Sequence, residues 1–218
     1  MRSDVDANVV ASGSSGNAVI IENKILVDCG VPFKALEPFA KDLNLVLLTH
    51  RHSDHFKRST IRRLSKERPT LRFACCEWML PCLIQEHVQP SRIDVLKKEN
   101  AWYNYRNLGI RLKQQHTLHD VPNCCWHIEV NGKKTFYATD LATTEGIEAP
   151  GYDLYLIEAN REREELERTI AEKREREEFV YEYRVIGTHL FEEQAREFLV
   201  NNMDEHSRYI FLHRHKTH

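Results

Sequence analysis

No stretch of this 218-residue chain approaches the roughly 20 consecutive apolar residues that a membrane-spanning helix needs. The start, Met1-Arg2-Ser3-Asp4, lacks an apolar region of the kind that directs export. The six cysteines, Cys29, Cys75, Cys76, Cys82, Cys124 and Cys125, include no Cys-x-x-Cys spacing, so neither a zinc ribbon nor a disulfide framework is indicated. Reduced, mostly buried thiols are expected instead. A strong charge of either sign is also missing: the formal net charge is −2, which does not advertise a nucleic-acid partner, although a nuclease can concentrate basic residues locally. There is no internal repeat and no obvious linker. With 41% hydrophobic residues the chain is long enough to bury a sizeable core. These features predict one cytoplasmic domain over residues 1–218, without membrane association.

What is present is a dense set of ligands. His50-Arg51-His52-Ser53-Asp54-His55 follows the apolar stretch Leu45-Val46-Leu47-Leu48, so a strand delivers three imidazoles and a carboxylate in six residues. His50 and His52, two apart, point to the same side of an extended loop. Asp54 and His55 are turned away from them, far enough to hold a second ion. Neutral imidazole with carboxylate favours borderline or hard divalent metals, Zn²⁺ first, then Mn²⁺ or Fe²⁺.

The run resembles the His-x-His-x-Asp-His signature of the metallo-β-lactamase-fold hydrolases. That resemblance implies an α/β (α+β) fold, a four-layer αββα sandwich with two divalent metal ions at one edge of two packed sheets. It also implies an upstream Asp, a third His, a bridging Asp and a final His. Ile25-Leu26-Val27-Asp28-Cys29-Gly30 reads as a buried strand ending in a carboxylate and a turn, which makes Asp28 the group that orients the metal ligands. In Lys113-Gln114-Gln115-His116-Thr117-Leu118-His119-Asp120, His119 resembles the third imidazole, with His116 as the fallback. Asn131-Gly132 between two strand-like runs signals a type I′ hairpin that aims Thr139-Asp140 back at the site, and Asp140 resembles the bridging carboxylate. Tyr209-Ile210-Phe211-Leu212-His213 is a short apolar strand ending in His. His213 takes the place of the last ligand and His215 is its rival, because the chain continues Arg214-His215-Lys216 where related nucleases carry Leu-Ser. On this reading one ion takes His50, His52 and His119, the other takes Asp54, His55 and His213, and Asp140 bridges.

Further elements are similar to those of the WalJ-type (YycJ-like) bacterial and phage nuclease branch. They are Gly13-Ser14-Ser15-Gly16-Asn17, Glu158-Ala159-Asn160, and Gly187-Thr188-His189-Leu190, where Phe191 replaces a usual Ser. Glu158 and His189 parallel a pair in tRNase Z thought to protonate the leaving group, so Asp54, Glu158 and His189 are the catalytic candidates. Arg58, Arg62, Arg63 and Lys66, on a helix after the metal loop, are candidate phosphate contacts, and a solvated helix face explains them as well. Residues 161–178 are almost entirely charged and are expected to form a surface helix packed by Leu166 and Ile170.

The function implied is a metal-dependent phosphodiesterase, a DNA or RNA nuclease with nucleic acid as substrate and a metal-bridging hydroxide as nucleophile. A small-molecule phosphodiesterase or an ester or lactone hydrolase of the same fold is the first alternative, because fold alone does not settle substrate. A non-catalytic, metal-stabilised nucleic-acid-binding module is the second. Without an export region, antibiotic degradation is not expected.

Overall fold

The computed structural model describes residues 4–176, 180, 183 and 186–213. Short apolar runs with β-branched residues form the strands of two six-stranded sheets. The first sheet holds, in chain order, β1 (Ala7–Ala11), β2 (Ala18–Ile21), β3 (Ile25–Val27), β4 (Leu45–Leu48), β5 (Arg72–Cys75) and β6 (Ile93–Val95). The second holds β7 (Tyr103–Tyr105), β8 (Ile110–Thr117), β9 (Asn123–Val130), β10 (Lys133–Ala138), β11 (Leu154–Glu158) and β12 (Arg208–Leu212), also adjacent in chain order.

The two-residue period of a strand sorts these runs into layers. Ile25 and Val27 of β3 and Leu45 and Leu47 of β4 face the second sheet, meeting Ile110, Leu112, Trp126, Ile128, Tyr137 and Leu156 in the central core. Leu26, Val46 and Leu48 face the other way, onto helices α1 (Phe33–Ala40), α2 (Arg58–Glu67) and α3 (Leu80–Gln85) through Leu36, Ile61, Leu64 and Leu83. On the far face of the second sheet, Phe136, Tyr155 and Ile157 pack against Ala195, Phe198 and Leu199 of α5 (Glu192–Asn202). The layers therefore run helix, sheet, sheet, helix, the αββα sandwich that the motif implied. Strands buried on both faces read as unbroken apolar runs, which explains Leu45–Leu48.

Residues 161–178 were expected as one charged helix; the helix α4 spans Arg163–Glu175, and 177–178 lie outside the described residues. Its buried residues are Leu166 and Ile170, which meet Phe191 in a small satellite cluster. The β9–β10 hairpin turns at Asn131 and Gly132, both left-handed with φ of 51° and 84°, as a type I′ turn requires. Among the described residues no helix is long and apolar enough to cross a membrane. All six cysteines are free thiols, buried except for the half-buried Cys82.

Strand direction places the site. β3, β4, β5 and β6 run parallel, as do β10, β11 and β12, and β8 runs with β10 because each is antiparallel to β9. The residues that follow β3, β4, β8, β10, β11 and β12 gather at one edge of the sandwich, where open α/β sheets commonly bind ligands.

Candidate metal centre

Three residues at strand ends, Asp28 and His213 directly after β3 and β12 and Asp140 two residues after the end of β10, have φ of 57°, 52° and 56°. A non-glycine residue held there costs about 1–2 kcal/mol, which the surrounding packing must offset. The left-handed step turns the chain sharply at the end of each strand and presents the side chain to the shared edge. Close backbone approach fixes the loop around it. A Cβ added at Gly30 would lie 1.6 Å from the Asp54 carbonyl oxygen, so this position tolerates no side chain.

Two overlapping ligand sets result. The donor atoms of His50, His52 and His119 lie within 4.8 Å of one another, and so do those of Asp54, His55 and His213. His50, His55 and Asp140 form a third such group, which puts Asp140 between the first two. These are the seven side chains expected as ligands, and the structure brings them together. His215 lies outside the described residues. His116 lies away from the centre, against Glu99 at 3.5 Å and the Trp78 ring at 4.9 Å.

Hydrogen bonds fix which imidazole nitrogen is available. His119 Nδ1 lies 2.9 Å from the Thr188 carbonyl oxygen, which accepts only, so Nδ1 carries the proton and Nε2 the lone pair. The Thr49 hydroxyl donates to Asp28, 2.9 Å from Oδ1, and its oxygen accepts from His50 Nδ1 at 3.0 Å. His55 Nδ1 donates to Asp28 Oδ2 at 2.7 Å. Asp28 thus orients the imidazole of His55 directly and that of His50 through Thr49, and also accepts from the Thr49 amide and, at 3.2 Å, from the Tyr137 hydroxyl. Carboxylate–histidine pairs of this kind are the usual support of a metal site.

Electrostatics point the same way. Burial holds His50 neutral, well below the ordinary histidine range. Burial also opposes charge on His213, but the Asp140, Asp54 and Glu158 carboxylates outweigh it and push this imidazole up to about 9. For Asp140 the penalty of burial is overcome by His55 and His213, which hold the carboxyl well below its usual range. The buried Nε2 atoms of His50, His119 and His213 have no hydrogen-bond partner. For the neutral His50 and His119 these are bare lone pairs, and bare lone pairs beside ionised carboxylates are costly in a buried site unless cations neutralise them. The donor set fits divalent metal ions.

Beside this cluster Glu158, fully buried, receives His189 Nδ1 on Oε1 at 2.7 Å and the Leu141 amide on Oε2 at 3.1 Å. Burial works against a charge on His189, yet the Glu158 contact raises its pKa above the usual value. The ring stacks on His213 at 5.0 Å and its Nδ1 lies 3.5 Å from Asp140 Oδ1, so with Nδ1 engaged Nε2 is the nitrogen left to exchange a proton. Asp140, Glu158, His189 and His213 also satisfy the spacing of a metal group, a second use for the pair.

The cations of α2 are engaged differently from a bare phosphate-binding face. Arg58 and Arg62 both pair with the buried Glu86 carboxylate, the latter at 2.7 Å. Arg63 pairs with Glu67 at 2.6 Å and stacks over the Phe33 ring at 4.0 Å. Both Arg58 and Arg62 nevertheless keep more than half of their side-chain surface exposed, at 66% and 56%.

Several supporting residues have no signal in a one-dimensional motif. Asn17, assigned from sequence only to a turn, has its amide nitrogen 2.8 Å from His55 Nε2 and its backbone amide on the Asp54 carbonyl at 2.6 Å. Asn123 donates to the Thr139 and Asp140 carbonyls at 3.0 and 2.6 Å. Trp78 donates to the Thr49 carbonyl at 3.1 Å, and Ser12 Oγ accepts from the His213 amide at 2.6 Å. Thr49 was the findable one, as the hydroxyl directly before the histidine run.

Comparison with known proteins adds a family model described as Beta-lactamase superfamily domain, which matches residues 23–178. Over 60 residues the chain is 43% identical to a protein named Exodeoxyribonuclease YycJ from Bacillus anthracis, a match that covers 23% of each. The alignment therefore spans under a quarter of that relative. The fold is similar to the metallo-beta-lactamase fold protein YhfI from Bacillus subtilis, with a TM-score of 0.71 at 14% identity over 97% of this chain and 86% of that one. It is also similar to the short form of human tRNase Z, with a TM-score of 0.70 at 15% identity over 95% of this chain and 92% of that one.

Proposed function

The chain belongs to the beta-lactamase superfamily domain family, as a hydrolase of the metallo-β-lactamase fold, and from that premise we propose that it is a two-metal phosphodiesterase acting on nucleic acid, with DNA as the first substrate to test. The observation that carries this reading is the pair of ligand sets linked by the His50–His55–Asp140 group, with the Glu158–His189 pair alongside. Two divalent ions held there would lower the pKa of a shared water toward neutrality and polarise the phosphoryl oxygen.

The chain's own groups have separate tasks. His50, His52 and His119 hold one ion, Asp54, His55 and His213 the other, and Asp140 serves both. Asp28 fixes the tautomers of His50 and His55 through the contacts described above. Glu158 holds His189 protonated, so that Nε2 donates its proton to the departing 3′ oxygen. Arg58, Arg62, Arg63 and Lys66 lie on the helix that follows the ligand loop and keep a phosphate backbone near the opening. The name of the YycJ relative and the likeness to tRNase Z favour a polynucleotide over a small ester. Residues 1–218 act as one domain, and the reduced thiols suit the cytoplasm.

The test is incubation of metal-loaded protein with labelled single- and double-stranded DNA, RNA and an aryl phosphodiester. Nucleic-acid cleavage abolished by chelator and restored by Mn²⁺ or Zn²⁺ is the expected result. Cleavage of the aryl ester alone makes the protein a small-molecule phosphodiesterase. Full metal content with no turnover makes it a binding module.

A further inference from the structure

At the margin of the metal centre stands a group of side chains to which the chemistry above gives no task. Trp78 donates to the carbonyl of Thr49, the residue directly before His50, and its partly buried ring packs against the apolar clusters on both faces of the first sheet. The indole is therefore fixed in place. His116 meets it edge to face, with ring centroids 4.9 Å apart and planes at 67°, and keeps half of its own side chain exposed. Two residues further on, Leu118 is 62% exposed directly before the candidate ligand His119. Two rings and an apolar side chain thus border the His50, His52 and His119 set in contact with water, and apolar surface grouped in this way marks a binding surface.

Charge and shape select the occupant. Glu99 accepts from the His116 amide at 2.8 Å and lies 3.5 Å from the Nδ1 of that ring, so a carboxylate backs the pair. It repels a phosphate and leaves a flat, neutral ring unopposed. Rings set at an angle form a corner rather than a closed stack, and an unpaired base can lay its face into such a corner, whereas in a duplex that face is covered by its neighbours. We infer that Trp78, His116 and Leu118 take an unpaired nucleobase beside the scissile phosphate, which makes single-stranded nucleic acid the substrate class; this rests on the nuclease reading above. Stacking is tolerant of sequence, because every base has a ring face.

Fluorescence anisotropy tests this with metal-loaded protein and a short phosphorothioate oligothymidylate, which resists cleavage, free or paired with oligodeoxyadenylate. The parent should bind the single strand more tightly than the duplex. His116→Ala and Leu118→Ser, both at exposed positions, should each weaken the single strand about fivefold or more and leave the duplex affinity and the melting temperature at parental values. Trp78 also packs against the core, so Trp78→Phe, which retains a ring, replaces an alanine variant. It should keep single-strand binding but lose the quenching of tryptophan emission that the strand causes in the parent, since Trp126 is fully buried and Trp102 lies under Arg111 and Lys113. Equal affinity of the parent for strand and duplex, parental single-strand affinity in both His116→Ala and Leu118→Ser, or quenching that persists in Trp78→Phe would overturn the inference and leave metal-dependent cleavage standing. A parent that binds neither probe and cleaves no ordinary DNA or RNA would remove the nuclease reading itself, and this inference with it.

Discussion

Asp140 carries the largest consequence of any single residue, because on the two-ion reading it would join both ligand sets, and two imidazoles hold its carboxylate ionised. Asp140→Ala should lower the metal content of protein purified without chelator from about two ions to one or fewer, measured by elemental analysis. Two ions retained in the variant would show that Asp140 does not bridge. His189→Ala separates chemistry from binding. With its Nδ1 on Glu158, this imidazole lies outside both three-ligand sets, so metal content and melting temperature should hold while turnover of nucleic acid falls by about 10²–10⁴. The loss should shrink for a p-nitrophenyl diester, whose leaving group needs no proton. Equal damage on both substrates, or a lost ion, would assign His189 to structure or ligation. The residues that were legible in the sequence are those whose chemistry is contiguous, since His50 to His55 advertise themselves within one loop. Asn17 was not legible, because 38 residues of chain separate it from the His55 ring that it touches.

At the scale of the element, α2 shows what a charge run conceals. Its cations read equally as phosphate contacts or as a solvated face, and the sequence gives no sign that Glu86 sits beneath two of them. The rest of α2, the strand β5 and the helix α3 intervene before Glu86 returns to Arg58 and Arg62, with its own side chain fully buried. Burial would raise the Glu86 pKa, but the two guanidinium groups outweigh it and lower the value. A depressed folded pKa means that the ion pair stabilises the protein fully above the ordinary glutamate range and that this contribution is lost as pH falls through the lower, folded value. The melting-temperature gap between the parent and Glu86→Gln should therefore be open near pH 7 and close in acid below about pH 4. A gap independent of pH would mean that packing, not charge, accounts for it. The same helix gives a second measurement. Arg62→Glu with Arg63→Glu should weaken nucleic-acid binding and flatten its dependence on salt. An unchanged salt slope would leave α2 as a solvated face. The hairpin, by contrast, was fully legible, since Asn-Gly between two strand-like runs admits few other conformations.

Over the whole molecule, the site draws on the ends of six strands from two sheets, so ions bound there would tie the layers to each other. Ions present at about 100 times their Kd stabilise by about 2.7 kcal/mol per site, and a chain of this size shifts by about 2–4 °C for each kcal/mol. Chelation should accordingly lower the melting temperature by about 5–10 °C for each ion removed, read by differential scanning fluorimetry. A melting temperature indifferent to chelator would contradict a site shared between the sheets. The layer order itself was legible because each apolar run has the length and period of a strand. The pairing of particular loops across the edge was not, since it depends on contacts between distant parts of the chain.

His213 is held by Ser12, 201 residues earlier, and Arg208 reaches the Val5 carbonyl across 203. Synthesis is vectorial, so a nascent chain carries the His50–His55 cluster long before the residue that completes the second ion's shell has left the ribosome. Contacts of such long sequence separation form slowly and late. On the two-ion reading proposed above, a chain still on the ribosome would present the first ligand set without the second, so activity would wait until the last strand has joined the sheet.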